Sequence, residues 1–240
     1  MKGFLRKFKA FVVRNAPYIN FECGIVIAFC IIFGIIIMNC VVPTSSMYPT
    51  IDPGDRVIGN RLAYVFDEPE NEDMVVFLYP DNTKARFFKR IVGTPGDVVE
   101  IQTNTTYINN EIIESNYCAE DIEGNFGPYY VPKKGDIVTL TNVKYNENNK
   151  IIRCDCFIND YYVGFVGEAK YYDAFEQKQK QEFIDFLDYY CDYIDGQYVI
   201  KEDLYFCLGD NRNNSHDSRF WAYRYVPKSK ILAKYIVSFG

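Results

Sequence analysis

The chain has 240 residues, 48% of them hydrophobic and 17% aromatic, enough to build a packed core and too much for a disordered or fibrous protein. Its formal net charge is −6, and all but five of the 26 Lys and Arg and all but one of the 32 Asp and Glu follow residue 42. A body this acidic offers no basic face for phosphates and argues against nucleic-acid binding.

The five early basic residues, Lys2, Arg6, Lys7, Lys9 and Arg14, precede the first acid, Glu22. From Cys23 to Val42 there is no charge, a run long enough at ~1.5 Å per residue to cross a hydrocarbon core of roughly 30 Å. This predicts one transmembrane helix over 23–42, stopped by Pro43, which has no N–H for the helical ladder. A cleaved leader would have an apolar stretch of about 7–15 residues and a small-x-small site, and neither stands before Pro43. Positive charge on the N-terminal flank predicts residues 1–22 on the cytoplasmic side and 43–240 on the outer side of a bilayer.

Beyond Pro43, runs rich in Val, Ile, Phe and Tyr alternate with turn signals such as Asp52-Pro53-Gly54-Asp55, Tyr79-Pro80-Asp81-Asn82 and Thr94-Pro95-Gly96-Asp97. Asn109-Asn110 reads as a hairpin turn, and further strands are expected near 136–140, 151–157, 161–166, 204–208 and 231–239. The fold class expected is mainly antiparallel β. One segment departs: in 173–194 the residues Phe183, Phe186, Leu187, Tyr190, Cys191 and Ile194 fall at three-to-four spacing, which predicts an amphipathic helix. The domain reading is a catalytic β domain from 43–99 and 204–240, with 100–203 as an accessory insertion carrying that helix.

Of the eight cysteines, Cys23, Cys30 and Cys40 lie in the uncharged run, and Cys118, Cys154, Cys156, Cys191 and Cys207 form an odd set that cannot all pair within the chain. Cys154-x-Cys156 is too tight for the usual zinc spacing, and with His216 the sole histidine no metal or cofactor is expected.

Three polar elements carry the candidate chemistry. Ser46 lies in the turn-forming run Pro43–Thr50, just past the uncharged segment. In Arg86–Asp97, strand alternation puts Lys89 on one face with Phe87 and Ile91, and burial among such neighbours disfavours the ammonium, producing a neutral base that a serine hydroxyl needs. The loop Gly209–Arg219, after the apolar run Leu204–Leu208, supplies acids, arginines and hydroxyls able to hydrogen-bond a neutral lysine. Taken singly, the three read as a turn, a snorkelling lysine and a solvated loop.

In this order, the three elements resemble the sequence boxes of bacterial type I signal peptidases, over residues 24–99 and 205–227. The resemblance implies Ser46 as nucleophile and Lys89 as general base, and Thr44 beside the Ser46 N–H in an oxyanion hole. It implies Ser215 as a hydrogen-bond partner of the lysine, Asp217 and Arg219 as a supporting ion pair, and Met47, Val75, Val76 and Phe77 in the substrate cleft. It further implies signal-peptide-bearing preproteins as substrates, the lipid bilayer as a partner, and a single-pass protein of the bacterial plasma membrane. Glu72, Asn213 and the longer segment Trp221–Pro227 depart from the family pattern. His216 stands at a variable position of its block, and a Ser46–His216–Asp triad is the rival mechanism. A different substrate on the same Ser/Lys fold, with pilin-processing or self-cleaving activity, and a tethered β domain that binds without catalysis are the other classes open.

Overall fold

The computed structural model describes residues 22–26, 33–102, 105–113, 124–173, 176 and 178–240. In chain order the strands are β1 (Ile37–Val41), β2 (Arg56–Asn60), β3 (Met74–Tyr79), β4 (Asn82–Gly93), β5 (Val98–Gln102), β6 (Thr105–Ile108), β7 (Glu111–Ile113), β8 (Phe126–Tyr130) and β9 (Ile137–Tyr145). There follow β10 (Ile151–Ile158), β11 (Tyr161–Asp173), β12 (Lys178–Asp185), β13 (Cys191–Ile194), β14 (Gln197–Ile200), β15 (Leu204–Leu208), β16 (Val226–Pro227) and β17 (Ile231–Phe239). All pairings described are antiparallel, and they make three sheets. The seven-stranded sheet runs β1-β2-β17-β3-β4-β15-β16, the six-stranded one β12-β11-β10-β9-β14-β13 and the four-stranded one β7-β6-β5-β8.

The period of two along β3 and β4 divides the core. Val75, Phe77 and Ile91 pack on one side of the large sheet with Tyr205, Cys207 and Trp221. Val76 and Phe88 pack on the other with Met38, Met47, Val57 and Ala233. A third cluster around Val92, Val99, Tyr130, Phe186, Tyr190 and Tyr225 joins the first sheet to the strands of 98–200. The hairpin turn between β6 and β7 places Asn109 at φ 55° and Asn110 at φ 67°, the pair of left-handed residues that a tight two-residue turn requires.

Two sequence expectations are corrected. Residues 22–26 and 33–36 are helical, but residues 37–41 of the expected transmembrane helix are strand β1, paired with β2 from Ile37↔Asn60 to Val41↔Arg56. Among the described residues no helix is long and apolar enough to cross a membrane; residues 27–32, in the middle of the run, lie outside them. An uncharged apolar run suits a strand as well as a helix, and β2 has an edge that β1 satisfies while burying Met38.

The helix expected over 173–194 is three elements. Lys178–Asp185 is β12, bonded to β11; among the described residues of this range only Phe186–Tyr190 is helical, N-capped by the Asp185 carboxylate accepting from Asp188 N at 3.0 Å; Cys191–Ile194 is β13. The outer members of the apparent stripe, Phe183 and Ile194, are 49% and 51% exposed, so the three-to-four spacing was continuous only in sequence.

The two regions are tied by Tyr190. Its buried hydroxyl donates to the Tyr225 carbonyl at 2.8 Å and accepts from Tyr225 N at 3.2 Å, and Tyr225 in turn donates to the Tyr130 carbonyl at 2.7 Å. Tyr190→Phe removes a group that satisfies two backbone atoms in a dry site, and should cost about 1–3 kcal/mol of stability in a denaturant titration. An unchanged midpoint would show that this tie carries no net stability.

Candidate active site

Three stretches far apart in sequence converge at one end of the large sheet. After β1, Pro43 and Thr44 lead into a single 3-10 turn, Ser45–Met47, that presents Ser46. Lys89 comes from β4, opposite Val75 on β3. The loop following β15 closes over both: Asn211 N donates to the Ser46 carbonyl at 3.1 Å, Asn211 Nδ2 to the Ser45 carbonyl at 3.1 Å, and Asn214 Nδ2 to Ser45 Oγ at 2.8 Å. Gly209 is required at the crossing, because a Cβ there would collide with Ser215 and the Ser46 carbonyl.

Lys89 is 4% exposed and Ser46 7%. Lys89 Nζ donates to Ser46 Oγ at 2.5 Å and to its neighbour's carbonyl, Phe88 O, at 3.1 Å. Burial drives the Lys89 ammonium from its ordinary 10.5 to about 8, against the pull of Asp217 and Asp210, which favours the charged form. Thr44 Oγ1 lies 3.2 Å from Ser46 Oγ.

Two buried ion pairs stand behind the lysine. Asp217 takes a bidentate contact from Arg219, 2.8 Å from Nε and 2.9 Å from Nη2, and also accepts from Gly209 N at 3.1 Å. Asp210 is held the same way by Arg90, at 2.9 and 2.7 Å, and accepts from Thr50 Oγ1 at 2.6 Å. Fork-to-fork geometry fixes direction as well as charge.

A cleft of about 600 Å³ opens beside the pair, with the segment 40–46 as one wall, Arg86–Lys89 as another, and Asn213–His216 and Phe220 at the end. Of the residues implied by sequence, Thr44, Ser46, Val76, Lys89 and Ser215 line it. Asp217 and Arg219 sit behind it. Met47, Val75 and Phe77 do not reach it: each is 0% exposed, Met47 packed beneath the Ser46 turn and Val75 and Phe77 on the opposite face of β3 from Val76. Cys40, Val41 and Val42 take their place, residues whose part in the wall was hidden by reading β1 as helix.

Ser215 is near but not bonded as expected: its buried Oγ has no hydrogen-bond partner among the described residues, and Phe88 O holds the lysine instead. His216 Nε2 lies 3.3 Å from the Tyr79 hydroxyl, which donates to Asp81 at 3.0 Å, and its ring stacks on Phe220 with centroids 6.1 Å apart. It is turned to Tyr79 while Ser46 faces Lys89. Sequence reasoning missed Arg90, Asp210, Asn211 and Asn214; the polar density of the 209–219 loop was the only signal, and it does not say which residue meets which.

A family profile described as "Signal peptidase, peptidase S26" matches residues 17–239. Signal peptidase I of Aquifex aeolicus is 31% identical over 201 residues, covering 82% of this chain and 73% of that protein. Probable signal peptidase I-2 of Synechocystis is 27% identical over 203 residues, covering 82% of this chain, which spans 61% of that relative's length. A crystal structure of a signal peptidase I from Enterococcus faecalis aligns with a TM-score of 0.34 at 23% identity, over 70% of this chain and 97% of that one. With nearly its whole length matched by the family profile, the chain belongs to the signal peptidase family, peptidase S26, and is a relative of the bacterial type I enzymes.

Proposed function

We propose that this chain is a membrane-anchored serine endopeptidase that removes N-terminal signal peptides from exported preproteins after small-x-small sites, with Ser46 as nucleophile and Lys89 as general base. The observation that carries the reading is the 2.5 Å contact from Lys89 Nζ to Ser46 Oγ in a site where both side chains are buried. Neutral Lys89 takes the hydroxyl proton as Oγ attacks the scissile carbonyl carbon. The Ser46 N–H and the Thr44 hydroxyl receive the oxyanion, each donor contributing roughly 3 kcal/mol. The C–N bond then breaks, Lys89 returns its proton to the departing amine, and the mature chain leaves an ester on Ser46. Lys89 deprotonates a water, which attacks that ester; the acyl C–Oγ bond breaks, Ser46 Oγ takes the proton back from Lys89, and the signal peptide leaves as a carboxylic acid.

Around this pair, Arg219 and Arg90 hold both oxygens of Asp217 and Asp210, so neither carboxylate pairs directly with the lysine. The domain scheme is a catalytic β unit from the blocks 43–99 and 204–240 with 100–203 inserted. The anchor lies upstream of Ile37, with the basic N-terminus on the cytoplasmic side and the catalytic unit outside. The deciding experiment incubates purified protein with a leader-bearing precursor and sequences the new N-terminus of the product. No cut after a small-x-small site would overturn the reading, and a cut in the chain itself would favour a self-cleaving relative.

Three outcomes follow. Ser46→Ala and Lys89→Arg should each lower kcat/KM by about 10⁴-fold or more with folding retained, since the first loses the nucleophilic oxygen and guanidinium cannot release a proton near neutrality. His216→Ala should keep most activity; the reverse pattern, an active Lys89→Arg beside an inactive His216→Ala, would install the triad instead.

In a pH series, kcat/KM should rise with a midpoint near 8, because only the neutral amine is a base and its ammonium persists below that value. A midpoint near the ordinary 10.5 would mean the lysine is not desolvated in solution.

Lys89 should also lower stability. Its native affinity for the proton is depressed, so the penalty is complete below about pH 8, fades as pH rises from about 8 to 10.5, and is absent above. Lys89→Met should therefore raise the unfolding midpoint at pH 7, by up to roughly 3 kcal/mol at ~1.4 kcal/mol per pH unit, and the gain should shrink towards pH 10. A destabilised variant at pH 7 would contradict it.

A further inference from the structure

The lining of the cleft includes Arg86 and, among the described residues, no Asp or Glu, on a body that is acidic overall. Arg86 stands apart from the other arginines of the site. Arg90 and Arg219 are buried and committed to Asp210 and Asp217, whereas Arg86 is exposed, and among the described residues its guanidinium has no ion-pair or hydrogen-bond partner. It projects from β4 on the Phe88 side of the strand, three residues before Lys89, or ~10 Å at ~3.3 Å per residue. Phe88 and Val76 form apolar lining beside it, and 40–42 forms the facing wall.

We infer that Arg86 is a specificity-determining residue that selects substrates carrying a carboxylate a few residues from the cleaved bond. The inference rests on the peptidase reading above. An extended segment that places its scissile carbonyl at Ser46 and lies between β4 and the 40–42 wall passes Arg86 about three or four residues away. A carboxylate there meets an unspent guanidinium at the rim of a cleft with no competing acid, and a lysine there meets like charge.

The test uses precursors identical except for Asp, Asn or Lys at one position, four or five residues before the cleaved bond or three or four after it. They are cleaved in neutral detergent by wild type, Arg86→Gln and Arg86→Glu. At one or more of these positions wild type should prefer Asp to Lys by about fivefold in kcat/KM, the scale of a solvent-accessible ion pair. Arg86→Gln should bring the ratio close to one, and Arg86→Glu should invert it; the glutamine variant decides alone if the glutamate variant does not fold. Added salt should compress the wild-type preference. No preference at any position, or a preference that is the same in all variants, would overturn the inference while leaving the peptidase intact. Failure of wild type to cut any precursor would instead overturn the peptidase reading, and this inference with it.

Discussion

A lysine in the interior is the constraint around which this end of the molecule is organised. A buried ammonium costs several kcal/mol of lost hydration unless the surroundings return it, and here they return only part: Lys89 gives one hydrogen bond to a hydroxyl and one to a carbonyl. The nearby carboxylates could have stabilised the charge by pairing with it directly. They are instead taken by Arg219 and Arg90, whose forks occupy both oxygens of each acid. The amine is left close to its switching point at a pH where cells operate, which an ion-paired lysine would not be.

Such an arrangement needs positional control over residues that the chain separates widely. Arg90 and Asp210 are 120 positions apart, and Thr50 reaches the same carboxylate from 160 positions away. The sheet solves this by pairing β4 with β15, so that the lysine strand and the start of the 209–219 loop are neighbours in the ladder, with Leu208 opposite Arg90. Once that register is set, the loop needs few further contacts to hold the Ser46 turn, and Asn211 makes two of them. The buried pairs are therefore devices of register more than sources of stability, since replacing buried ion pairs by apolar groups is often neutral or favourable elsewhere.

How much of this could be read in advance depended on the range of the interaction. Strands such as Leu204–Leu208 and Ile231–Phe239 were legible to the residue, because alternation and turn chemistry are local. The nearness of Ser46 and Lys89 was legible only through resemblance; nothing local in either stretch says that they meet. The two errors of secondary structure share one cause. Hydropathy and spacing were read without knowing which sheet edges needed partners, and both 37–41 and 178–185 fill such edges. Of the strand block 75–77, Val76 lines the cleft while Val75 and Phe77 are packed in the core, a distinction that treating the strand as a block erases.

The strand β1 also changes what the site requires of its surroundings. Read as a helix end, 37–41 would only have suspended Ser46 from the expected anchor. As an edge strand bonded to β2, it makes the segment leading to Ser46 part of the same rigid sheet that carries Lys89. The distance between Ser46 and Lys89 is then set by strand pairing across β2, β17, β3 and β4, and not by the flexibility of a tether. In the proposed dyad no third residue orients the base, as an acid orients the histidine of a triad. Here the sheet supplies that orientation: β4 fixes where Lys89 emerges, the Phe88 carbonyl fixes its amine, and β1 fixes the turn that brings Ser46 to meet it.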